Sequence, residues 1–318
     1  MTRLTYESVA VRPVLVPLRR PIVSKVGEYR EWPLILIDLH TAEGVTGRSY
    51  LQPYLRQAAR YVVPAIEDLA AAREGKPVRP LDDFDEGRRS LNLIGYEGVS
   101  MIAVSGLDTE AGELLTDGGF SAVKMRLGYD RLADDLLAID TARKAAGDDA
   151  IIMVDYNQGL PPGGAAHRLH TVDDLGLYWF EEPLRYTELA GHARLARELR
   201  TPIQLGENFY GPEALAAAVA QRSCDYVMPD LMRIGGVTGW LRSVPVAAAA
   251  GLPVSSHLYP EVSAHLLRVT QNAHWLEWAD WANPVLAEPF RVADGMLHIP
   301  DTPGCGIEWN EKAIARFI

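Results

Sequence analysis

The sequence predicts an α/β fold, a parallel (β/α) barrel preceded by an α+β N-terminal part, and three observations carry that prediction. The first is a rhythm: six apolar stretches, AIIMVD, GLYWFE, PIQLGE, DYVMPD, LPVSSH and AHWLE, end at Asp155, Glu181, Glu207, Asp230, His257 and Glu277, spaced 26, 26, 23, 27 and 20 positions apart. Each interval holds one strand, one helix and two short loops, too little for a separate domain. The second is that every stretch runs into an acid or a histidine, so strand after strand delivers a polar group at its C-terminal end. A parallel barrel collects those ends on one face, where such folds place their chemistry. The third is a change of grammar at Phe120, from mixed strands and helices before it to strand, loop and helix repeated after it.

In chain order, residues 4–17 mix β-branched and polar residues and read as a strand. Pro21–Tyr29 reads as a loop turning at Gly27, and LILIDLHT from Leu34 as a strand closed by the turn residues Glu43 and Gly44. These make a small antiparallel sheet. Apolar Ala58, Val62, Ile66 and Leu69 give residues 57–72 a helical period, and a second helix is expected over 98–107. Barrel strands are expected at 121–126, 150–155, 177–181, 202–206, 226–229, 252–256 and 273–277, seven in all. Helices fit LADDLLAIDTARKAA, ELAGHARLAREL, PEALAAAVAQ and TGWLRSVPVAAAA, while the GLPPGG stretch from Gly159 reads as a loop. After Pro284, VADGMLHIPDTPGCGIEW reads as short strands and turns that return to the N-terminal sheet. The division is an N-terminal α+β domain over 1–110, a barrel over 111–284 and a C-terminal segment over 285–318 that returns to the N-terminal domain.

A chain of 318 residues with 48% hydrophobic content buries a large core and makes two domains a fair prior. Its net charge of -11 argues against nucleic acid or an anionic membrane as partner, and a small anionic substrate would need a local cation to offset that field. Cys224 and Cys305 are the only cysteines, too few for a disulfide framework or a thiolate metal site. Arg3, Glu7, Arg12, Arg19 and Arg20 interrupt the start of the chain, so no signal peptide is expected. No stretch approaches a membrane span, and the cytoplasm is the expected location.

Asp155, Glu181 and Glu207 end three successive strands, which sets their carboxylates side by side. Each acid alone could simply cap the helix that follows it. Three at the same phase of a repeat repel one another unless a cation lies between them, and hard oxygen ligands without cysteine favour Mg2+ over zinc. His257 follows Asp230 by one strand–helix unit, so the aspartate can orient and polarise the imidazole as a general base. Lys124 and Arg126 in SAVKMR lie two apart on one side of their strand, where they would face inward and neutralise a substrate carboxylate. Glu277 on the last strand would hydrogen-bond the same group. Such a cavity suits removal of the weakly acidic proton beside a carboxylate, with the metal stabilising the enediolate and His257 carrying the proton.

MVDYNQ at 153–158, FEEP at 180–183, GEN at 206–208, MPDLMRIGGVTGW at 228–240, SSHLYPEVSAHLL at 255–267 and AHWLEW at 273–278 together resemble the mandelate racemase subgroup of the enolase superfamily. The likeness extends over most of the chain, including LILIDL and GRSYL in the N-terminal part. It implies a TIM-type barrel under its cap, Mg2+ held by Asp155, Glu181 and Glu207, His257 with Asp230 as one acid/base catalyst, and Glu277 assisting at the substrate carboxylate. It also places Val23, Lys25, Tyr29 and Tyr54 on lid loops that set specificity and makes Asn157 a polar contact. A homo-oligomer acting on a small carboxylate, a 2-hydroxy acid or an acid sugar, is implied too.

Two departures qualify the resemblance. Members of the subgroup commonly carry Lys-x-Lys on the second barrel strand, the second lysine being the base opposite the histidine, whereas this chain has Lys124-Met125-Arg126. Arginine stays protonated at ordinary pH, which turns the expectation from two-base racemisation toward dehydration, with His257 or Lys124 removing the proton. Between Asp108 and Gly118 lie nine residues, where the family carries the last capping helix, a linker and the first barrel strand in roughly fifty. This apparent deletion of about 40 residues matches the count of seven strands where a closed barrel needs eight. The leading expectation is therefore a Mg2+-dependent racemase or acid-sugar dehydratase. The competing one is a non-catalytic metal-binding homologue disabled by loss of the first strand. A phosphate-binding barrel enzyme, resting on Gly235, Gly236 and Gly239, lacks any P-loop pattern.

Overall fold

The computed structural model describes residues 4–24, 27–93, 95, 97–99, 101–102, 120–147 and 149–318. The N-terminal part is built on an antiparallel sheet in the order β1 (Tyr6–Ser24), β2 (Gly27–Thr41), β3 (Thr46–Leu51). Leu34, Ile35, Leu36 and Ile37 of β2 are all buried. Successive strand residues face opposite sides, so both faces of the sheet are covered there. Val62, Ile66 and Leu69 form the buried stripe of the helix Ala59–Ala71, at the spacing the sequence shows.

The segment Pro21–Tyr29 differs from the loop expected of it. Ile22 pairs with Tyr29, Val23 with Glu28 and Ser24 with Gly27, after a register shift between Pro17 and Ile22. β-Branched Ile22 and Val23 favour extended backbone, and the irregularity falls where Pro17 and Pro21 remove ladder donors. The helix Pro80–Leu91 was not expected, because it buries only Phe84 and Gly87 and shows little apolar period. It is set instead by Pro80 in its first turn, with Asp82 and Asp83 at the start and Arg88 and Arg89 at the end. Most of the helix expected at 98–107 lies outside the described residues, as does the stretch where the sequence reading places a deletion.

The barrel part is one parallel sheet of seven strands in sequence order, β4 (Ala122–Arg126), β5 (Ile151–Asp155), β6 (Phe180–Glu181), β7 (Ile203–Leu205), β8 (Tyr226–Val227), β9 (Val254–Ser256) and β10 (Ala273–Leu276). Helices Leu132–Ala146, Pro162–Val172, Leu189–Glu198, Pro212–Gln221, Gly236–Ala249 and Pro260–Arg268 lie along the connections. Two of these correct the sequence reading: the GLPPGG stretch opens the helix Pro162–Val172, with proline in its first turn, and Pro260–Arg268 is a further helix. The sheet curls until its edge strands meet through side chains. Lys124 on β4 reaches Glu277 beyond β10 at 2.5 Å, and the Phe120 and Trp278 rings lie 6.4 Å apart. The result is a modified TIM-type barrel with a capping sheet, seven-stranded among the described residues.

The C-terminal strands β11 (Arg291–Ala293) and β12 (Met296–His298) pair only with each other among the described residues, rather than joining the N-terminal sheet. Asp294 and Gly295, both at positive φ, make the two-residue turn that closes this hairpin on itself. The return to the cap is made otherwise. Trp309 Nε1 donates to Asp38 Oδ1 (2.8 Å), Arg48 pairs with Glu308 (3.0 Å), and the Leu15 N–H donates to the Phe317 carbonyl (3.0 Å). Among the described residues no helix is long and apolar enough to cross a membrane.

Candidate active site

Strands β5, β6 and β7 bring Asp155, Glu181 and Glu207 together, with one carboxylate oxygen from each within 4.8 Å of the others and all three residues buried. Register accounts for this: Asp155 pairs with Glu181, and Glu181 with Gln204 three residues before Glu207. The chain turns sharply after the first two. Asn157, Gln158 and Glu182 have φ of 42°, 61° and 35°, a conformation costing a non-glycine residue on the order of 1–3 kcal/mol. Hydrogen bonds hold it, from the Asn157 N–H to Asp155 Oδ1 (2.7 Å) and from the Gln158 N–H to the Glu182 carbonyl (2.7 Å). Before the third ligand, Gly206 has φ of 144°, and a Cβ there would lie 2.6 Å from the Met228 backbone, so glycine alone lets β7 approach β8 at this point.

Burial and the nearby Glu207 push Asp155 up to about 6, and burial drives Glu181 well above the carboxylate range against the pull of Lys124. For Glu207 burial also opposes ionisation, but His257, Arg233 and Lys124 prevail and hold its carboxyl well below that range. Glu181 Oε2 is buried without a hydrogen-bond partner. Crowded, buried, all-oxygen donors with one orphaned atom fit a hard divalent cation such as Mg2+.

Across the ring, Asp230 and His257 face each other at the ends of β8 and β9. His257 Nδ1 lies 2.6 Å from Asp230 Oδ2, while Asp230 Oδ1 accepts the Arg233 N–H at 2.9 Å. With both aspartate oxygens engaged, the imidazole is held with Nε2 toward Glu207 (3.3 Å) and Glu277 (3.8 Å). Burial disfavours charge on His257, yet Glu277, Tyr54, Glu207 and Asp230 together raise its pKa well above the usual value. Lys124 donates from Nζ to Glu181 Oε1 (2.9 Å) and contacts Glu277 Oε1 (2.5 Å). Burial opposes its charge too, and the same carboxylates overcome that opposition. Arg126 is exposed at the end of β4, in register with Asp155, and acts on that carboxylate through its charge.

The capping part contributes aromatic rings. Tyr54, at φ of 60°, lies 4.8 Å from the Arg233 guanidinium and 5.5 Å from the Trp32 ring. Burial raises the pKa of its phenol, against Arg233 and His257. Tyr29 is one ring removed, packing edge-on against Trp32 at 5.9 Å, and Trp32 also meets Trp281 of the barrel at 4.8 Å. Asn157 touches Asp155 through its backbone N–H. Val23 stands opposite Glu28 near the hairpin tip, and Lys25 lies outside the described residues.

Sequence reasoning missed Arg233, Glu182, Asn208, Trp32 and Trp281. Asn208 Nδ2 donates to both Glu182 Oε2 (2.7 Å) and Glu207 Oε1 (2.9 Å), and burial with Glu207 pushes Glu182 up to about 8. The signal for two of them was present: Glu182 is the second acid of FEEP, and Arg233 lies three residues after Asp230. Charged side chains at such positions read as solvated until burial is seen.

Residues 106–313 match the family described as Enolase C-terminal domain-like. The chain is 29% identical over 257 residues to the L-talarate/galactarate dehydratase of Salmonella typhimurium, covering 81% of this chain and 64% of that protein. An enolase from the alpha proteobacterium bal199 with bound magnesium is 42% identical, with a TM-score of 0.93 over 99% of both chains. A Bradyrhizobium enolase complexed with magnesium and mandelic acid is 36% identical, with a TM-score of 0.93 over 100% of this chain and 99% of its own. The chain spans 57–64% of the length of the first three curated relatives it matches.

Proposed function

The chain belongs to the mandelate racemase/muconate lactonizing enzyme family of the enolase superfamily, and from that premise we propose that it is a Mg2+-dependent enzyme removing the α-proton of a 2-hydroxycarboxylate. The observation that carries this reading is His257 Nε2, aimed into the ring of Glu207, Glu277 and Lys124 by an aspartate that engages Nδ1. A divalent ion held by Asp155, Glu181 and Glu207 supplies, when bound, positive charge opposite the oxygens on which negative charge develops. Lys124 offers a cation to the substrate carboxylate. Glu277, fixed by the Leu258 N–H at 2.9 Å, hydrogen-bonds the same group. His257 takes the α-proton at Nε2, and Asp230 stabilises the imidazolium that forms.

Lys124 is engaged by Glu181 and Glu277, and Arg126 is a permanent cation, so His257 is the group placed to carry the proton. A single base favours dehydration of an acid sugar. The α C–H bond breaks with its proton passing to His257, the β C–O bond breaks as the double bond forms, the departing hydroxyl takes that proton back from the imidazolium and leaves as water, and the enol tautomerises to a keto acid. The rings of Trp32, Tyr54, Tyr29 and Trp281 favour a second reading, an aryl 2-hydroxy acid that exchanges or inverts at the α-carbon without elimination. The Bradyrhizobium relative complexed with mandelic acid supports it. An acidic chain in a metabolic family also fits a cytoplasmic homo-oligomer, which light scattering and cell fractionation test.

Incubation in D2O with Mg2+ and a panel of acid sugars and aryl hydroxy acids separates these readings. Keto acid from an acid sugar supports dehydration, and deuterium in recovered aryl hydroxy acid supports the second reading. Mg2+ binding with neither product across the panel would sink both and leave a non-catalytic scaffold. EDTA should abolish the activity and Mg2+ restore it.

A further inference from the structure

Arg233 is a buried cation with no carboxylate partner within 4.0 Å among the described residues. Removing a charge from water without an ion pair is costly unless other groups satisfy it. Here two other contacts do so. Nη1 donates to the backbone carbonyl of Glu207 at 2.8 Å, and the guanidinium carbon lies over the Tyr54 ring, 4.8 Å from its centroid. The same residue's N–H holds Asp230 Oδ1 at 2.9 Å, and its carbonyl accepts the Gly211 N–H at 3.1 Å. Its backbone is thereby pinned between β8 and the connection after β7. Gly235 two residues on has φ of 102°, and a Cβ there would strike Phe84 at 2.6 Å, so only glycine fits where this turn packs against the capping part.

A planar guanidinium on a pinned backbone has few rotamers that keep Nη1 on the Glu207 carbonyl and its carbon over the Tyr54 ring together. We propose that Arg233 is a positioning residue that couples the seating of Tyr54, from the capping part, to the placement of Glu207 in the triad. The proposal rests on the reading that the triad holds Mg2+. If Tyr54 leaves, the guanidinium loses the surface that fixes its rotamer, and the Glu207 main chain loses its donor. By reciprocity, a cation that draws Glu207 into place must favour the seated Tyr54 to the same degree.

The test needs no substrate. Mg2+ affinity is measured by calorimetry on the unaltered protein, Tyr54→Phe, Tyr54→Leu, Arg233→Lys and the Tyr54→Leu/Arg233→Lys double variant, with hydrogen exchange of the segment Tyr50–Ala58 followed with and without Mg2+. Tyr54→Leu and Arg233→Lys should each weaken Mg2+ binding by about five- to tenfold. The double variant should be no weaker than the worse single one, because both remove the same contact. Tyr54→Phe, which keeps the ring, should bind as the unaltered protein does. Mg2+ should slow exchange of Tyr50–Ala58 in the unaltered protein and leave it unchanged in Arg233→Lys. If Tyr54→Leu binds Mg2+ with unchanged affinity, or the two losses multiply, the coupling is wrong, whether or not Arg233→Lys folds. Failure of the unaltered protein to bind Mg2+ is a different result: it removes the metal reading, and the coupling with it.

Discussion

His257 and His274 lie on neighbouring strands of one sheet and have opposite electrostatics. His257, just past the C-terminal end of β9, is surrounded by Glu277, Glu207 and Asp230, which raise its pKa well above the usual value despite burial. His274, near the N-terminal end of β10, has its pKa lowered by burial alone. Its neighbours are the Tyr178 hydroxyl at 2.7 Å from Nε2, the Ser255 hydroxyl at 3.5 Å from Nδ1 and the Tyr226 ring at 5.0 Å. Met153, Trp179 and Met228 form a separate buried cluster against which Tyr178, Tyr226 and Trp275 pack. The same residue type is thus a neutral packing element at one end and, on the proposed reading, the proton carrier at the other. What differs is which groups the adjacent strands deliver, and in a parallel barrel the chemistry belongs to the C-terminal ends.

The strongest way to break this comparison is to remove each histidine. His257→Asn should lower α-proton exchange by roughly 10²–10⁴-fold, whereas His274→Gln should leave the exchange rate in D2O within about twofold while lowering the melting temperature. Comparable losses in both would mean the two ends are not functionally distinct. Next, Lys124→Met leaves Glu181 and Glu277 without their shared cation. Breaking a largely buried pair from one side should cost about 3 kcal/mol in denaturant unfolding, and Mg2+ should recover part of it.

A third test uses pH. His192 is fully buried, accepts the Leu184 N–H at Nε2 (3.2 Å), and has its pKa lowered by burial to about 4. The unfolded chain takes up a proton near pH 6.5 that the folded chain refuses until about 4. Stability from this group is complete above the unfolded value and is lost as pH falls through that window, on the order of 3 kcal/mol in total. His274 shifts in the same direction and should add to the same loss. His192→Gln should flatten the acid side of the stability profile, and an unchanged profile would mean the histidine is not held neutral. The smallest effect belongs to Tyr178→Phe, which removes the partner of His274 and should cost about 1 kcal/mol with no change in exchange rate.

Much of the candidate site was legible in the sequence because strand ends are local features. An apolar run closing on Asp155, Glu181, Glu207, Asp230, His257 or Glu277 can be read without knowing any neighbour. Six of the seven strands of the barrel sheet end or begin at such runs, and their order in the sheet follows the chain. The reading failed where local pattern was weak or misleading. Pro17 and Pro21 hid a hairpin, polar Pro80–Leu91 hid a helix, and the glycines and prolines after Gly159 hid the start of another. Arg233 and Glu182 stand inside the quoted motifs without an assigned role, since nothing in a motif states that a charged side chain is buried.

The sequence by itself determined the alternation of strand and helix, the phase that sets three carboxylates at successive strand ends, and the pairing of an aspartate strand with a histidine strand. These follow from backbone geometry and side-chain polarity over a few residues. Only the tertiary structure decided that Lys124 is held between Glu181, 57 positions away, and Glu277, that Arg126 stays at the surface, and that Gln52 and Tyr259, 207 positions apart, join cap to barrel. Charge state and burial depend on which groups become neighbours when the sheet curls. A side chain's partners are a property of that closure, and so is the chemistry they permit.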